Sequence, residues 1–425
     1  MDPQNIRRIY LDHAASTPLD SRVKDAMEPY LADEFGNAGG LYREGRRAKD
    51  ALDNARIQIA DILGAHADEI IFTSGGTEGD TLALFGTARA HGDKGKHIVT
   101  TSIEHHAVLS ACEALEKDGF EVTYVDVEPN GIVDPKKIQA ALREDTILVS
   151  VMFANNEIGT IQPIAEIGQL IQEWRDEHKT RMPYFHTDAC QAVGYLRMRV
   201  EELGVDFLVL NGSKIYGPKG VGALYARRGV KIKPLFYGGS QEGRRRAGTE
   251  NIAGIIGLAK ALEIADAERE EEFTRLTELR DYAVLRITKE IERAVPNGDL
   301  VQRLPNNINI SILDIEGEAV ILYLDAHGVA CSTGSACTSE SLDPSHVILA
   351  LGKPYEYAHA SIRFTLGRGT TKEDIDRLME VLPEVTKTLR KISPIKIETD
   401  AKSMSHPEAF AGENLRVKAK SKSYK

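Results

Sequence analysis

Residues 207–225 read FLVLNGSKIYGPKGVGALY. A four-residue apolar run, too short for a helix, ends in Asn-Gly-Ser and is followed by Lys214, a turn rich in glycine and proline, and a second apolar run. The pattern predicts one lysine at the end of a strand. An amine held beside hydrophobic backbone loses its proton more easily than in water, which suits it to form a Schiff base with a carbonyl. On this stretch alone a solvated turn lysine is the commoner case, so the neighbouring motifs decide between the two.

Strands and helices alternate along the chain around this stretch. Short apolar runs predict strands at residues 69–73, 96–101, 122–127, 146–152 and 184–188. Apolar residues at helical spacing predict surface helices at residues 21–31, 45–63 and 164–174, and a long helical stretch after the arginine-rich turn is predicted to reach about Val295. This alternation predicts an α/β fold in which a mostly parallel sheet is flanked by helices on both faces.

The length of 425 residues predicts more than one domain. A charge-dense segment after residue 265 marks the passage from a large domain, residues 18–265, to a smaller α+β domain made of residues 1–17 and 266–397. Residues 398–425 are polar and end in a basic stretch, so we expect a flexible tail there.

The composition excludes several classes of protein. Hydrophobic residues at 42% and charged residues at 28% are close to the average for globular proteins, which argues against disorder and against a membrane protein. The net charge of -11 argues against general nucleic-acid binding. Four cysteines without a secretory leader are typical of a reducing cytoplasm, and their spacing fits no common zinc site, so no metal is expected.

A glycine turn follows the strand predicted at residues 69–73. Ser74-Gly75-Gly76-Thr77-Glu78 leads directly into a helical run. Free backbone N–H groups and the helix dipole at such a helix start favour an anion, so a phosphate would fit there. Glycine turns before helices are also common as purely structural features.

Polar side chains follow three further predicted strands. His105 lies where a strand becomes a helix, Asn155 and Asn156 follow the strand predicted at residues 146–152, and Asp188 closes the strand at residues 184–188. Parallel sheets place their ligands at such strand ends. For the histidine a capping role is the alternative, and for the paired amides a simple turn.

Two features lie in the predicted small domain. Cys337 is surrounded by small polar residues, which indicates an exposed, reactive thiol on a mobile loop. Cys331, Cys112 and Cys190 lie beside apolar segments and are interpreted as packed. Arg363 alternates with apolar neighbours on a strand, so its guanidinium can hold a carboxylate or form an ordinary ion pair.

A strand-end lysine, an upstream aspartate, a phosphate turn, a histidine and an arginine are together the parts of a pyridoxal phosphate site. The chain resembles the cysteine desulfurases of the NifS/IscS family, within the class V aminotransferase-like enzymes, from Tyr10 to about Pro394. The motifs that carry the resemblance are TSGGTE at 73–78, EH at 104–105, NNEIG at 155–159, KIYGPKG at 214–220 and GSACTS at 334–339.

The resemblance implies a role for each motif. Lys214 would bind pyridoxal 5'-phosphate covalently, Asp188 would keep the pyridine nitrogen protonated, and His105 would stack on the ring and assist proton transfer. Cys337 would be the sulfur-accepting catalytic residue. The remaining implied contacts are Gly76, Thr77, Ser213 and, from the neighbouring subunit, Thr249 for the phosphate, Gln191 for the ring hydroxyl, and Asn156 and Arg363 for the substrate carboxylate.

Two places depart from the family pattern. Members often carry a histidine before the lysine and a serine two residues before that histidine, where this chain has Ser213 and Asn211. Members also often carry Ser-x-His where this chain has Gly40-Leu41-Tyr42. These changes put phosphate contacts in question and not the reaction class.

The resemblance implies a fold-type I pyridoxal phosphate enzyme that converts L-cysteine to L-alanine and leaves a persulfide on Cys337. It further implies a cytoplasmic homodimer with shared active sites that donates sulfur for iron–sulfur cluster assembly or tRNA thiolation. A selenocysteine lyase, or another class V lyase or aminotransferase, is the alternative enzyme. A non-catalytic scaffold is disfavoured by the joint presence of Lys214, Asp188, His105 and Cys337.

Overall fold

The computed structural model describes residues 7–333 and 344–393. The strands in this part of the chain are β1 (Ile9–Tyr10), β2 (Ile70–Thr73), β3 (His97–Thr101), β4 (Glu121–Val125), β5 (Thr146–Ser150), β6 (Tyr184–Asp188), β7 (Phe207–Asn211), β8 (Gly222–Ala226), β9 (Ala294–Pro296), β10 (Asn307–Ile312), β11 (Val329–Ala330) and β12 (Ser361–Thr365).

The α-helices in the same residues are α1 (Ser21–Met27), α2 (Pro29–Ala32), α3 (Arg43–Leu63), α4 (Gly76–His91), α5 (His106–Lys117), α6 (Pro135–Ala141), α7 (Ile164–His178), α8 (Val200–Leu203), α9 (Ile252–Glu290), α10 (Gly317–Ala326), α11 (His346–Ala350), α12 (Tyr355–His359) and α13 (Lys372–Ile392).

The main sheet has seven strands in the order β2-β8-β7-β6-β5-β3-β4. β8 runs antiparallel to both of its neighbours, and every other adjacent pair is parallel. The central strands β5 and β6 are buried along their whole length, which explains why they appear in the sequence as continuous apolar runs. The predicted α/β architecture is confirmed. Because β2, β3, β5, β6 and β7 point the same way, the segments that follow them meet at one edge of the sheet.

Two smaller sheets lie beside a separate hydrophobic cluster. β10 pairs antiparallel with β12 and β9, and β1 pairs parallel with β11. Ile308, Ile310 and Phe364 are buried in this cluster with residues of α9, α10 and α13. The domain boundary at residue 265 stays a prediction, and α9 runs without a break across it.

Two helix predictions were wrong in detail. The helix predicted over residues 21–31 is interrupted, with α1 ending at Met27 and α2 beginning at Pro29, because proline has no N–H to continue a helix and its ring clashes with the preceding turn. The long helix predicted to reach about Val295 ends at Glu290, since residues 294–296 form β9 on the small sheet.

Neither a membrane span nor a metal site is present in the described residues. No helix in this part combines the length and the apolarity that crossing a bilayer requires. No group of three or more histidine, cysteine, aspartate or glutamate side chains in these ranges is arranged to hold a metal ion.

Candidate active site

The lysine turn is held against the N-terminal segment. Lys214 follows β7 in a short 3-10 turn, and its Nζ donates to the backbone carbonyls of Ala14 at 2.6 Å and Ala15 at 2.7 Å. Thr17 fixes the other side, because its N–H and hydroxyl both donate to the carbonyl of Ser213, at 2.9 and 3.0 Å. The amine is therefore placed by two segments that lie far apart in sequence, residues 14–17 and the lysine turn.

Asp188 and Gln191 lie at and just after the end of β6, the strand next to β7. Asp188 is the last residue of β6, and its carboxylate accepts the N–H of Cys190 at 2.8 Å. The Gln191 amide donates to Ala14 O at 3.0 Å, the carbonyl that also binds Lys214. The structure thus brings the Gln191 amide and the Lys214 amine together, and Asp188 lies at the end of the strand next to β7.

The start of α4 approaches the ends of β6 and β7 closely. A Cβ added to Gly76 would lie 2.8 Å from Cys190 Sγ and 3.2 Å from Asn211 Nδ2, so only glycine fits there. Gly75 adopts φ 154° with open space beside it, and the Thr77 side chain is exposed at the helix start. Free N–H groups at this helix end make an anion site next to the lysine turn.

Ser213 and Asn211 interact with each other. The Ser213 hydroxyl donates to Asn211 Oδ1 at 3.0 Å, while Asn211 Nδ2 faces Gly76. The amide of Asn211 is therefore a candidate phosphate donor that the sequence prediction missed. The sequence did contain a signal, because an amide stands at position 211 where family members often carry serine. That difference was interpreted only as a departure from the family pattern.

His105 lies between β3 and α5. Its Nδ1 accepts the N–H of Ala107 at 3.1 Å, so the ring caps α5, and the side chain is half-buried. The capping role and the predicted ring contact are compatible because the cap uses one ring nitrogen. Beside it, burial raises the pKa of Glu104 to about 8, partly offset by hydrogen bonds from Thr101 and Met152.

A buried polar row lies on the same sheet. Ser150 Oγ is 2.8 Å from His186 Nδ1, and His186 Nε2 is 3.4 Å from Asp80 Oδ1. His186 is two residues before Asp188 on β6 and shares its face of the sheet. Burial lowers the pKa of His186 to about 4, so His186 is neutral at pH 7, and burial with repulsion from Asp188 raises the pKa of Asp80 well above its ordinary value.

Arg363 is buried on β12 and makes ordered contacts. Its guanidinium donates to the carboxylate of Asp12 at 2.8 Å and to the backbone carbonyl of Asn156 at 2.9 Å. Its backbone pairs with Ser332, at the end of the segment that leads toward Cys337. The structure brings Arg363 and Asn156 together as predicted, and it adds Asp12, which no sequence pattern indicated.

Cys337 lies outside the described residues. The structure places Cys112 and Cys190 in the interior, and burial raises the pKa of both thiols. Burial also raises the pKa of the Cys331 thiol to about 12. Cys112 and Cys190 are packed as predicted, and Cys331 is partly buried.

Thr249 is exposed and lies in the arginine turn, which we define as residues 244–249. In the same turn, Arg246 forms an ion pair with Glu78 on α4 at 2.8 Å. This pair was not predicted from the sequence.

The comparisons with known proteins fit this geometry. The class-V aminotransferase family model matches residues 9–378. The cysteine desulfurase IscS of Dictyoglomus turgidum is 54% identical over 392 residues, covering 92% of this chain and 98% of that protein. The chain belongs to the NifS/IscS family of cysteine desulfurases.

Solved structures of the family share the fold. A NifS-like protein has a TM-score of 0.84 at 34% identity, and the match covers 90% of this chain and 100% of that chain. SspA, solved in complex with cysteine, has a TM-score of 0.73 at 35% identity, covering 84% of this chain and 98% of that one. The family resemblance given by the sequence motifs is confirmed.

Proposed function

We propose that this protein is a pyridoxal phosphate-dependent cysteine desulfurase that converts L-cysteine to L-alanine and leaves a persulfide on Cys337. The observation that carries the proposal is the convergence of Lys214 and Gln191 on the Ala14 carbonyl, at the sheet edge where Asp188 ends β6. The names of the family relatives support the same reaction.

The residues present fit pyridoxal phosphate. Only glycine fits at position 76, where α4 begins, and the N–H groups of this helix start can bind a phosphate. The amine of Lys214 and the carboxylate of Asp188 lie at the ends of neighbouring strands. Lys214 would hold the aldehyde carbon, Asp188 the pyridine nitrogen, and Thr77 with Ser213 the phosphate. When bound, this cofactor supplies an electron sink for negative charge at the α-carbon of an amino acid.

Arg363 would orient the substrate. Its guanidinium is buried and already fixed by Asp12 and the Asn156 carbonyl, so little conformational freedom is lost when a carboxylate binds. Arginine suits this role because it can bind a carboxylate with two parallel hydrogen bonds. Asn156 would complete the carboxylate site.

Cys337 would accept the sulfur. The thiolate attacks the sulfur of the substrate and forms an S–S bond, while the electron pair of the broken C–S bond stays on the carbon that becomes the alanine methyl group. His105, at the same sheet edge, would carry a proton between the reacting groups.

The test measures products from purified protein with L-cysteine and a thiol. We expect alanine and sulfide in equal amounts, and Cys337→Ser should still bind the cofactor and L-cysteine but form neither alanine nor a protein persulfide. Cys331→Ser, the matched control, should keep most of the activity because that thiol is buried with a raised pKa. A persulfide mapped to Cys331 by mass spectrometry would overturn the assignment.

The same assay separates the alternatives. An aminotransferase would release a keto acid, and a selenocysteine lyase would give alanine from selenocysteine only. No observation favours either. We further propose a cytoplasmic homodimer, with Thr249 reaching the partner's phosphate site, that passes sulfur to an iron–sulfur scaffold or a tRNA-thiolation enzyme.

A further inference from the structure

An ion pair links the arginine turn to the first turn of α4. Arg246 Nε donates to Glu78 Oε1 at 2.8 Å and Arg246 Nη2 to Glu78 Oε2 at 3.4 Å. The Glu78 side chain is only 8% exposed and that of Arg246 23% exposed, so the pair is largely shielded from water. Pairs of this kind are screened less than surface ion pairs.

Glu78 lies in the first turn of α4, beside the candidate phosphate site. It is the third residue of α4, and its Oε2 also accepts the N–H of Ser74 at 2.7 Å. Burial alone would raise the pKa of Glu78, but hydrogen bonds from Arg246 and Ser74 outweigh burial and lower it. The carboxylate is therefore ionised at neutral pH.

A phosphate held at Gly76 and Thr77 would meet this carboxylate within the same helical turn. Two anions this close repel each other unless a cation compensates one of them. Glu242, another carboxylate near Arg246, is already paired with Arg56 through two hydrogen bonds. Arg246 is the cation that the structure provides for Glu78.

We propose that Arg246 is a positioning residue for the cofactor: by neutralising Glu78 it makes the first turn of α4 able to accept the phosphate, without contacting the phosphate itself. This inference rests on the proposed function, in which α4 holds the phosphate of pyridoxal phosphate. The effect of Arg246 on cofactor binding should therefore depend on the presence of Glu78.

The experiment measures the dissociation constant for pyridoxal phosphate on cofactor-stripped full-length protein, by visible absorbance. Arg246→Gln should raise this constant about tenfold or more, because it leaves Glu78 uncompensated. Glu78→Gln should stay within about threefold of wild type, and the double variant Glu78→Gln/Arg246→Gln should also return to within about threefold. Arg246→Lys, which keeps the charge, should bind almost normally and shows that position 246 tolerates substitution.

Pyridoxal without its phosphate is the probe that separates charge from structure. Its dissociation constant should be the same for wild type and Arg246→Gln, within about twofold, because no second anion is brought in. Arg228→Gln, which removes an arginine from an exposed pair with Asp68, is the matched control for net charge and should bind pyridoxal phosphate normally.

Two outcomes would overturn the inference. One is a double variant as weak as Arg246→Gln, which would mean that Arg246 acts directly or through folding. The other is an equal loss of pyridoxal and pyridoxal phosphate binding. If wild-type protein bound no pyridoxal phosphate, the proposed function itself would fail, and this result is distinct from both.

Discussion

The contacts of its amine distinguish Lys214 from Lys219, the other lysine of the same turn. Lys214 Nζ donates to two backbone carbonyls, and the neighbouring Lys219 in the same turn donates instead to Thr17 O at 2.6 Å. We expect Lys214→Ala to lose the visible absorbance of the bound cofactor and all turnover, because the amine cannot be replaced. Lys219→Ala is the matched control and should keep both. A borohydride-sensitive visible band in Lys214→Ala would contradict the assignment.

Glu104 gives a prediction about pH. Its buried carboxyl has a pKa of about 8, above its ordinary value of 4.5, so the folded protein favours the protonated form. This contribution to stability is complete below about pH 4.5 and declines as the pH rises to about 8. Glu104→Gln lacks it, so the melting temperature of the variant relative to wild type should increase across this window and then level off.

Thermal unfolding of both proteins at several pH values checks this expectation. Glu113→Gln on the exposed side of α5 is the control, and its difference from wild type should not vary in the same way. A Glu104→Gln difference that stayed constant from about pH 5 to pH 8 would show that the carboxyl is not protonated in the folded state.

At the scale of elements, the approach of α4 to β6 and β7 is set by Gly76. An alanine there would place its Cβ 2.8 Å from Cys190 Sγ, so the helix start must shift. We expect Gly76→Ala to destabilise the fold by about 1–3 kcal/mol and to weaken cofactor binding at least tenfold. Gly369→Ala, where nothing lies within 4 Å of the added Cβ, should have little effect on either. Denaturant unfolding and cofactor titration measure both quantities.

The elements also show what a sequence can predict. The strands ending at Thr73, Asp188 and Asn211 were predictable because they are buried on both faces and read as apolar runs. Their common direction then brought the polar residues after them to one edge. The pair Glu78–Arg246 joins residues 168 positions apart, and no local periodicity encodes such a side-chain contact.

Asp12 and Asp80 were missed for a related reason. Asp12 lies shortly after β1, and its bridge to Thr365 brings it to Arg363. Asp80 lies on a helix whose apolar residues suggested packing, and its buried contact with His186 appears only in three dimensions. Long-range polar contacts depend on topology, which the pattern of one segment does not contain.

For the whole molecule, Thr249 tests the shared active site. Thr249→Ala should weaken cofactor binding about tenfold, because a hydrogen bond to a charged group is lost. The sharper measurement mixes Thr249→Ala with Lys214→Ala subunits after dissociation. If Thr249 acts across the dimer, one site in each mixed dimer has Lys214 from one chain and Thr249 from the other, so activity returns.

At a cofactor concentration that saturates wild type but not Thr249→Ala, neither variant alone should show that activity. If the mixed dimers stayed as inactive as the parent variants, Thr249 would act within its own subunit or not at all. A monomer at micromolar concentration with full activity would likewise contradict the shared site.

The continuous helix α9 contributes to two hydrophobic clusters, a large one that includes residues of the seven-stranded sheet and the smaller one beside the two small sheets. The helix therefore fixes the spacing between the residues that pack in each cluster. Its early residues, among them Leu258 and Leu262, pack in the large cluster, and Leu276, Ala283 and Ile287 pack in the small one. One inserted residue in the charged stretch between them would rotate the later face by about 100° and turn these side chains away from their partners. Substitutions there should change the stability of the fold little, whereas insertions and deletions should be tolerated only in steps of about seven residues, which correspond to two full turns. In this segment the spacing is constrained more tightly than the residues themselves.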